Sequence, residues 1–472
     1  MTAPHNPKRK ACLFGGIVLI PVILAAFFYF KSEIRYFSNF HYNLRSDYVY
    51  AFPKDSTTQV ILEQDGFQWP VTKTSWDTAF LKINVRSSWA GVFFKPFIRV
   101  SYGGKSRRQY FEKTAQGIRY LNLSSLVEHA PTLSASDKIM LEGHHVSWIQ
   151  GPTELYRFQN QDPHKARILV IAPHPDDAEL VAFGFYEKKD AYIITITAGE
   201  EGKLKYAHFF PNKKEHALFQ GTVRTWDSLV VPFWGGVVPE KCFNLGYFDH
   251  TLKSMFQDPT RKMSSRYAET FDLRTFRQYN TSSLLSRDVT EATWNNLVSD
   301  LSQLLTTIAP DIIVTPNPLM DSHPDHEFST VALLEAIQKA GIKKGALYLY
   351  TVHDSFSQQW PFGKAKSLVS LPPYFSSVPF FEKIYVENLS LKTFTKKYFA
   401  FDDLHSLRPV YFLSPSQYSY AFSAFLQSFY VQWKSAIFMR KFLRNQELFF
   451  VVPVEKANLL REEFLKNPPL DN

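Results

Sequence analysis

The sequence predicts an α/β fold, a Rossmann-like, doubly wound and mostly parallel sheet, preceded by a small β-sandwich domain and an N-terminal transmembrane helix. Three observations carry this. Near-continuous apolar runs alternate with helical stripes after residue 166, short alternating runs fill residues 48–158, and residues 11–30 are apolar and uncharged. At 472 residues the chain is long enough for more than one core. The boundaries expected are a cytoplasmic N-terminus at 1–10, an anchor at 11–30, a linker at 31–47, the sandwich at 48–158, the α/β domain at 166–455 and a tail at 456–472.

Ala11 to Phe30 match the length of a helix that crosses the bilayer core. Lys8, Arg9 and Lys10 precede the run, and Lys31, Glu33 and Arg35 follow it with a smaller positive excess. The positive-inside rule then places the N-terminus in the cytoplasm and the rest beyond an inner or plasma membrane, in the periplasm or extracellular space. The run is long for a signal-peptide core, and Phe27-Phe28-Tyr29-Phe30 lacks a small-x-small cleavage site, so an uncleaved single-pass anchor is expected. Only Cys12 and Cys242 are present, and Cys12 lies in the apolar run, which rules out a disulfide scaffold. The net charge of +9 is spread over scattered Lys and Arg with no nucleic-acid motif. An acidic membrane surface or anionic glycan is therefore the expected partner, and nucleic acid is not.

From Tyr48 to Phe158, β-type runs at Thr58 to Glu63, Phe80 to Arg86, Phe97 to Tyr102, Lys138 to Glu142 and Val146 to Ile149 are separated by turn residues such as Gly103-Gly104. Alternation in Phe80 to Arg86 argues for antiparallel pairing, hence the sandwich. Trp69, Trp76, Trp89 and Trp148 have the chemistry to stack on sugars, although core packing is the commoner use of such rings. After the polar stretch Gln159 to Lys165, Arg167 to Ala172 and Ala191 to Thr197 read as strands buried on both faces. Trp294, Leu297, Leu301, Leu304, Leu305 and Ile308 share one helical stripe, which Pro310 ends. Asp311 to Thr315 is a further buried strand, Val331 to Ile342 a helix and Ala346 to Val352 a strand. Between Lys203 and Asp288 the chain is polar with few clear elements, as expected of loops beside a site. Later, Phe394 to Phe401 and Tyr418 to Phe442 read as helices and Glu447 to Val452 as a last strand.

Two clusters stand just past predicted strands, where an open α/β sheet has its ligand crevice: His174-Pro175-Asp176-Asp177-Ala178-Glu179 and Asp321-Ser322-His323-Pro324-Asp325-His326. Pro175 suits the first turn of a helix, and acidic residues suit its positive end. Asp177, three residues beyond His174, is then able to converge with it on a divalent metal, with His326 as the third ligand. Two imidazoles and one carboxylate leave open positions, as a catalytic zinc requires. The same trio suits non-haem iron, so ligand type alone leaves Zn2+ and Fe2+ both open. The extra carboxylate of Asp176 favours hydrolysis, since an oxygenase needs no general base there. Acidic residues at a helix start are also ordinary capping, and one cluster alone is weak; two, each after a buried strand, make a metal site the stronger reading. His144, His145, His208, His216, His250 and His353 lack that context and read as surface, packing or loop residues.

These residues resemble the LmbE-like deacetylases, the family of N-acetylglucosaminyl-phosphatidylinositol de-N-acetylase (PIG-L) and bacterial thiol-sugar deacetylases. Ile168 to Leu180 is similar to the family's opening signature, an apolar strand and then His-Pro-Asp-Asp with a nearby Glu, and Asp321 to His326 is similar to its later one. The resemblance spans Ala166 to Val452 and implies that His174, Asp177 and His326 bind zinc. It further implies that Asp176 is the general base and returns the proton to the leaving amine. His323, oriented by Asp325, would polarise the amide carbonyl or stabilise the oxyanion. Thr197 to Glu200 looks like the loop after the family's second strand, and Arg444 to Phe449 resembles its closing strand region. Leu245 to Asp249 is similar to the segment whose aspartate holds sugar hydroxyls, which makes Asp249 a substrate candidate. Arg224 is a second one, with Asp227 where the family usually has Glu in an Arg-x-x-Glu helix. The implied activity is zinc-dependent hydrolysis of the N-acetyl group of an N-acetylhexosamine in a cell-envelope glycan or glycolipid. Alternatives are an amidase on another N-acyl substrate, such as a thiol-sugar conjugate, and a non-catalytic envelope glycan-binding or assembly protein. Intact candidates for each catalytic role argue against the last.

Overall fold

Alternating side chains give the first sheet one face for an inner core and one for a neighbour. In the computed structural model, residues 31–468 are described except 32, 35, 71–74, 130–132, 135, 136, 202–205, 207, 208, 287, 377–379 and 408–440. Nine antiparallel strands form this sheet: β1 (Thr57–Leu62), β2 (Gly66–Gln68), β3 (Thr78–Ser87), β4 (Phe97–Tyr102), β5 (Lys105–Tyr110), β6 (Gln116–Asn122), β7 (Lys138–His144), β8 (Val146–Trp148) and β9 (Gly151–Phe158). The order is β5-β4-β7-β2-β1-β9-β3-β6, and β8, turning back from β7 at His145, pairs with β3. The expected antiparallel strands are present, but they join in one continuous sheet that folds back on itself, where a sandwich would have two separately bonded sheets. Leu62, Phe67, Leu81, Val85, Ile98 and Leu155 fill the space enclosed. Trp69 and Trp76 are buried there too, whereas Trp89 stands exposed.

The second sheet holds β10 (Arg167–Ala172), β11 (Asp190–Thr197), β12 (Cys242–Tyr247), β13 (Ile312–Pro316), β14 (Ala346–Tyr350), β15 (Lys383–Asn388) and β16 (Gln446–Pro453), in the order β12-β11-β10-β13-β14-β16-β15. The first five in that order pair in parallel, and β16 runs antiparallel between β14 and β15. Both faces are covered, as the unbroken apolar runs require. Leu169 and Ile171 of β10 face a core with helices α3 (Trp294–Ile308) and α4 (Pro324–Ala340), while Ile168 and Val170 face α1 (Asp177–Tyr186) and α5 (Leu391–Asp403). The chain leaves β10 towards β11 on one side and reaches β13 on the other, so the strand order reverses between β10 and β13, the place where such sheets open a crevice.

Several segments differ from expectation. Residues 31–47 are not a free linker: Tyr42 Oη donates to Glu112 at 2.6 Å and His41 N to the Phe356 carbonyl at 2.8 Å, so the segment touches both sheets' units. The polar stretch after Lys203 contains α2 (Lys213–Val230) and β12. The tail carries α6 (Ala457–Lys466), whose Leu460 and Phe464 are buried. The expected anchor at 11–30 and most of the expected helix from Tyr418 lie outside the described residues. Among the described residues no helix is long and apolar enough to cross a membrane.

Candidate metal centre

The two clusters meet at the reversal of strand order. His174 follows β10, and α1 starts at Asp177; α4 starts at Pro324 with His323 as its cap, so His326 lies in the first helical turn. Three donor atoms converge: His174 Nδ1 lies 3.2 Å from His326 Nε2, His326 Nε2 lies 3.2 Å from Asp177 Oδ2, and His174 Nδ1 lies 3.3 Å from the same oxygen. Tetrahedral ligands at zinc distances stand about 3.3 Å apart, so this triangle has the size such an ion needs.

The partners of the outward nitrogens leave the inward ones to serve as lone pairs once a metal ion displaces the proton between the rings. His326 Nδ1 lies 3.1 Å from Asp321 Oδ2, and His174 Nε2 lies 3.2 Å from Asp249 Oδ1 and 3.4 Å from Asp325 Oδ2. A carboxylate claims each ring's proton, which fixes the tautomer and turns the other nitrogen inward. Four buried carboxylates, Asp177, Asp249, Asp321 and Asp325, thus surround two buried imidazoles. Burial lowers the affinity of His326 for a proton, but Asp177 and Asp321 outweigh it and hold the ring at about 10. His174 is raised likewise against burial, chiefly by Asp249. So much negative charge calls for a cation between the rings, and the donor set suits a divalent ion of nitrogen and oxygen preference.

Beside the triangle, both oxygens of Asp176 are held by hydrogen bonds. Arg224 Nη2 donates to its Oδ1 at 3.2 Å and Ser406 Oγ to its Oδ2 at 2.9 Å. Arg224 also donates through Nη1 to the Gly199 carbonyl at 2.9 Å; a Cβ at Gly199 would fall 2.5 Å from that nitrogen. Its helix neighbour Asp227 binds His405 through both backbone N–H and ring Nδ1 at 2.7 Å, next to Ser406. His323 Nδ1 accepts from Asp325 N at 3.2 Å, which leaves the ring proton on Nε2. Burial and the neighbouring His326, His174 and His353 push this ring down to about 2, so it stays neutral. The Asp325 carboxylate faces His174 and the backbone N–H of His250 (2.7 Å), so Asp325 reaches His323 only through its main chain.

Asp249 is buried between His174 and Thr197, whose Oγ1 donates to it at 3.1 Å, and its own N–H points to the Glu200 carboxylate. Burial and Asp249 push Glu200 up to about 8. Two histidines read from sequence as loop residues also border the site: His250 and His353 set their ring centres 5.4 and 5.2 Å from that of His323. Asp321 belongs to the second cluster, yet its position on His326 and on the Val352 and His353 N–H groups had no signal beyond that membership. His208 lies outside the described residues.

Comparison with known proteins agrees with this placement. No curated protein matches the chain. Among solved structures, the conserved protein TT1542 from Thermus thermophilus is 16% identical over 60% of this chain and 94% of its own, with a TM-score of 0.29. GalB, the 4-carboxy-2-hydroxymuconate hydratase from Pseudomonas putida, is 13% identical over 61% of this chain and 95% of its own, also with a TM-score of 0.29. Scores this low carry no argument about function. Residues 169–337, the span that holds both histidine clusters, match the family model described as PIG-L: GlcNAc-PI de-N-acetylase.

Proposed function

We propose that the chain is a zinc-dependent de-N-acetylase, anchored in a membrane by residues 11–30 and facing outward, that acts on an N-acetylhexosamine in a cell-envelope glycan or glycolipid. The observation that supports it most is the 3.2–3.3 Å triangle of His174, Asp177 and His326 within a span matching a de-N-acetylase family. When bound, zinc supplies the Lewis acidity that activates water and polarises the amide carbonyl. The protein's groups do the rest. Asp176 takes the proton from the attacking water and delivers it to the departing amine nitrogen, with Arg224 and Ser406 holding its two oxygens in place. His323 offers its Nε2–H to the oxygen that gains charge as the carbonyl becomes tetrahedral. Asp321 aligns His326, and Asp249 with Asp325 aligns His174. In this reading Arg224 and Asp249, expected as substrate contacts, act first on Asp176 and His174, with the substrate meeting whatever donor capacity Arg224 and acceptor capacity Asp249 keep.

The test is acetate release from a panel of N-acetylated glycans and glycolipids, with and without chelator, alongside the metal content of the purified protein. Chelator-sensitive release restored by zinc is expected. A zinc-loaded protein that frees no acetate from any N-acetylhexosamine would sink the proposal, and a C-terminal reporter found in the cytoplasm would sink its topology.

A further inference from the structure

Five large apolar side chains stand in the open on one part of the first sheet's unit: Ile34, Phe37, Trp89, Phe93 and Phe94 are 72, 36, 81, 53 and 61% exposed. They belong to two segments that meet. Residues 89–94 form the turn after β3, and Lys95, the next residue, sets its Nζ 5.9 Å from the centre of the Tyr36 ring. Lys113 stands 5.2 Å from the same ring, gives its N–H to the Tyr36 hydroxyl at 3.0 Å, and pairs through Nζ with Glu33 at 2.5 Å. The segment carrying Ile34 and Phe37 is therefore fastened beside the 89–94 turn. It is also where the uncharged apolar stretch 11–30 hands over to the folded chain.

We propose that Ile34, Phe37, Trp89, Phe93 and Phe94 form a bilayer-facing surface, seated in the interfacial layer of the membrane that holds the chain. The proposal rests on the reading of residues 11–30 as an anchor. An exposed cluster of this kind marks an interaction site rather than ordinary surface scatter. Its composition is that of a membrane–water interface: Trp and Phe at the level of the headgroups, with exposed Lys31 and Lys95 beside them to meet acidic lipid. A sugar is the poorer fit. Aromatic rings that hold a sugar need polar side chains beside them and an open face; the Trp N–H is the only polar side-chain group of Trp89-Ala90-Gly91-Val92-Phe93-Phe94 itself, and the His145 imidazole stacks on Phe94 at 5.2 Å between ring centres, covering a face a sugar would need. Seated in this way, the folded part lies against the bilayer instead of swinging from a tether, which holds the metal centre at a fixed height above lipid-borne substrate.

The experiment uses the full chain reconstituted into phosphatidylcholine–phosphatidylglycerol vesicles, with and without lipid brominated high on its acyl chains. The Trp89 emission is the difference between the wild type and Trp89→Phe, a change at an exposed ring that leaves the core intact. Loss of that emission in brominated vesicles, with protection from aqueous iodide, is the expected result. Vesicle-bound protein whose Trp89 emission is quenched by iodide but not by brominated lipid would overturn the surface and leave the anchor standing. The surface is equally overturned if the emission responds only to soluble N-acetylated oligosaccharides, which would make the turn a sugar platform. Protein that fails to float with vesicles after an alkaline carbonate wash would overturn anchor and surface together.

Discussion

Both oxygens of Asp176 are engaged, one by Arg224 and one by Ser406, so the group is oriented before substrate arrives. Asp176→Asn keeps the shape and an acceptor oxygen for Arg224, turns the Ser406 contact round so that the amide N–H donates to the hydroxyl, and removes the basicity. If the proposed activity is right, turnover should fall by about 10²- to 10⁴-fold, while metal content by elemental analysis stays at the wild-type level; near-full activity would remove Asp176 from its role. Asp321→Asn acts elsewhere. It weakens the hold on His326 Nδ1, and metal affinity in competition with a chromogenic chelator should drop by about 10- to 100-fold. His174, Asp177 and His326 were legible in the sequence because each lies in a short cluster at a strand's end. His250 and His353 were not, since each is a single histidine in a segment without period, brought to His323 only by the return of the loops after β12 and β14.

Helix α2 shows why one element escaped a periodicity reading. Its buried residues include His216, Gln220, Gly221, Thr225, Asp227 and Ser228, so the face turned inward is mostly polar or small and leaves no apolar stripe. Strands β10, β11 and β13 posed no such difficulty, because both their faces are buried and the apolar letters run together. The small residue in α2 has its own consequence. A Cβ on Gly221 would sit 2.4 Å from Phe276 Cε1 and 2.8 Å from Glu200 Cβ, with the helix backbone unable to retreat from both. Gly221→Ala should therefore destabilise the protein by about 1–3 kcal/mol through overpacking, read as a lower midpoint in thermal melts. An unchanged or raised midpoint would show that the ring of Phe276 gives way freely.

At the scale of the molecule, the sequence is rich in Phe (43) and Tyr (24), and a group of them lines a seam between the two sheets. Phe80, Tyr120, Tyr156 and Phe158 from the first share a core with Ile384, Val386 and Phe450 from the second, and Tyr50 stacks on Phe450 at 5.9 Å. Polar ties cross as well: Val386 N donates to Thr78 Oγ1 at 3.0 Å, and Asn122 Nδ2 to Gln446 Oε1 at 3.1 Å. The sequence showed aromatic residues without their destination, since neither sheet alone reveals which of its faces will be covered. A shared core predicts that both sheets unfold in one transition, with near-UV and far-UV signals superimposing. Phe450→Ala should cost about 3–5 kcal/mol and shift both signals together; a melt that splits in two would show the seam to be weak. Finally, β16 lies between β14 and β15 although it is the last strand among the described residues. A ribosome delivers β15 long before β16, so two strand edges wait with bare amides and carbonyls until residue 453 has emerged. Until residues 446–453 are in place, the facing edges of β14 and β15 lack the ladder partner that joins them, so this sheet closes only when its central antiparallel strand arrives.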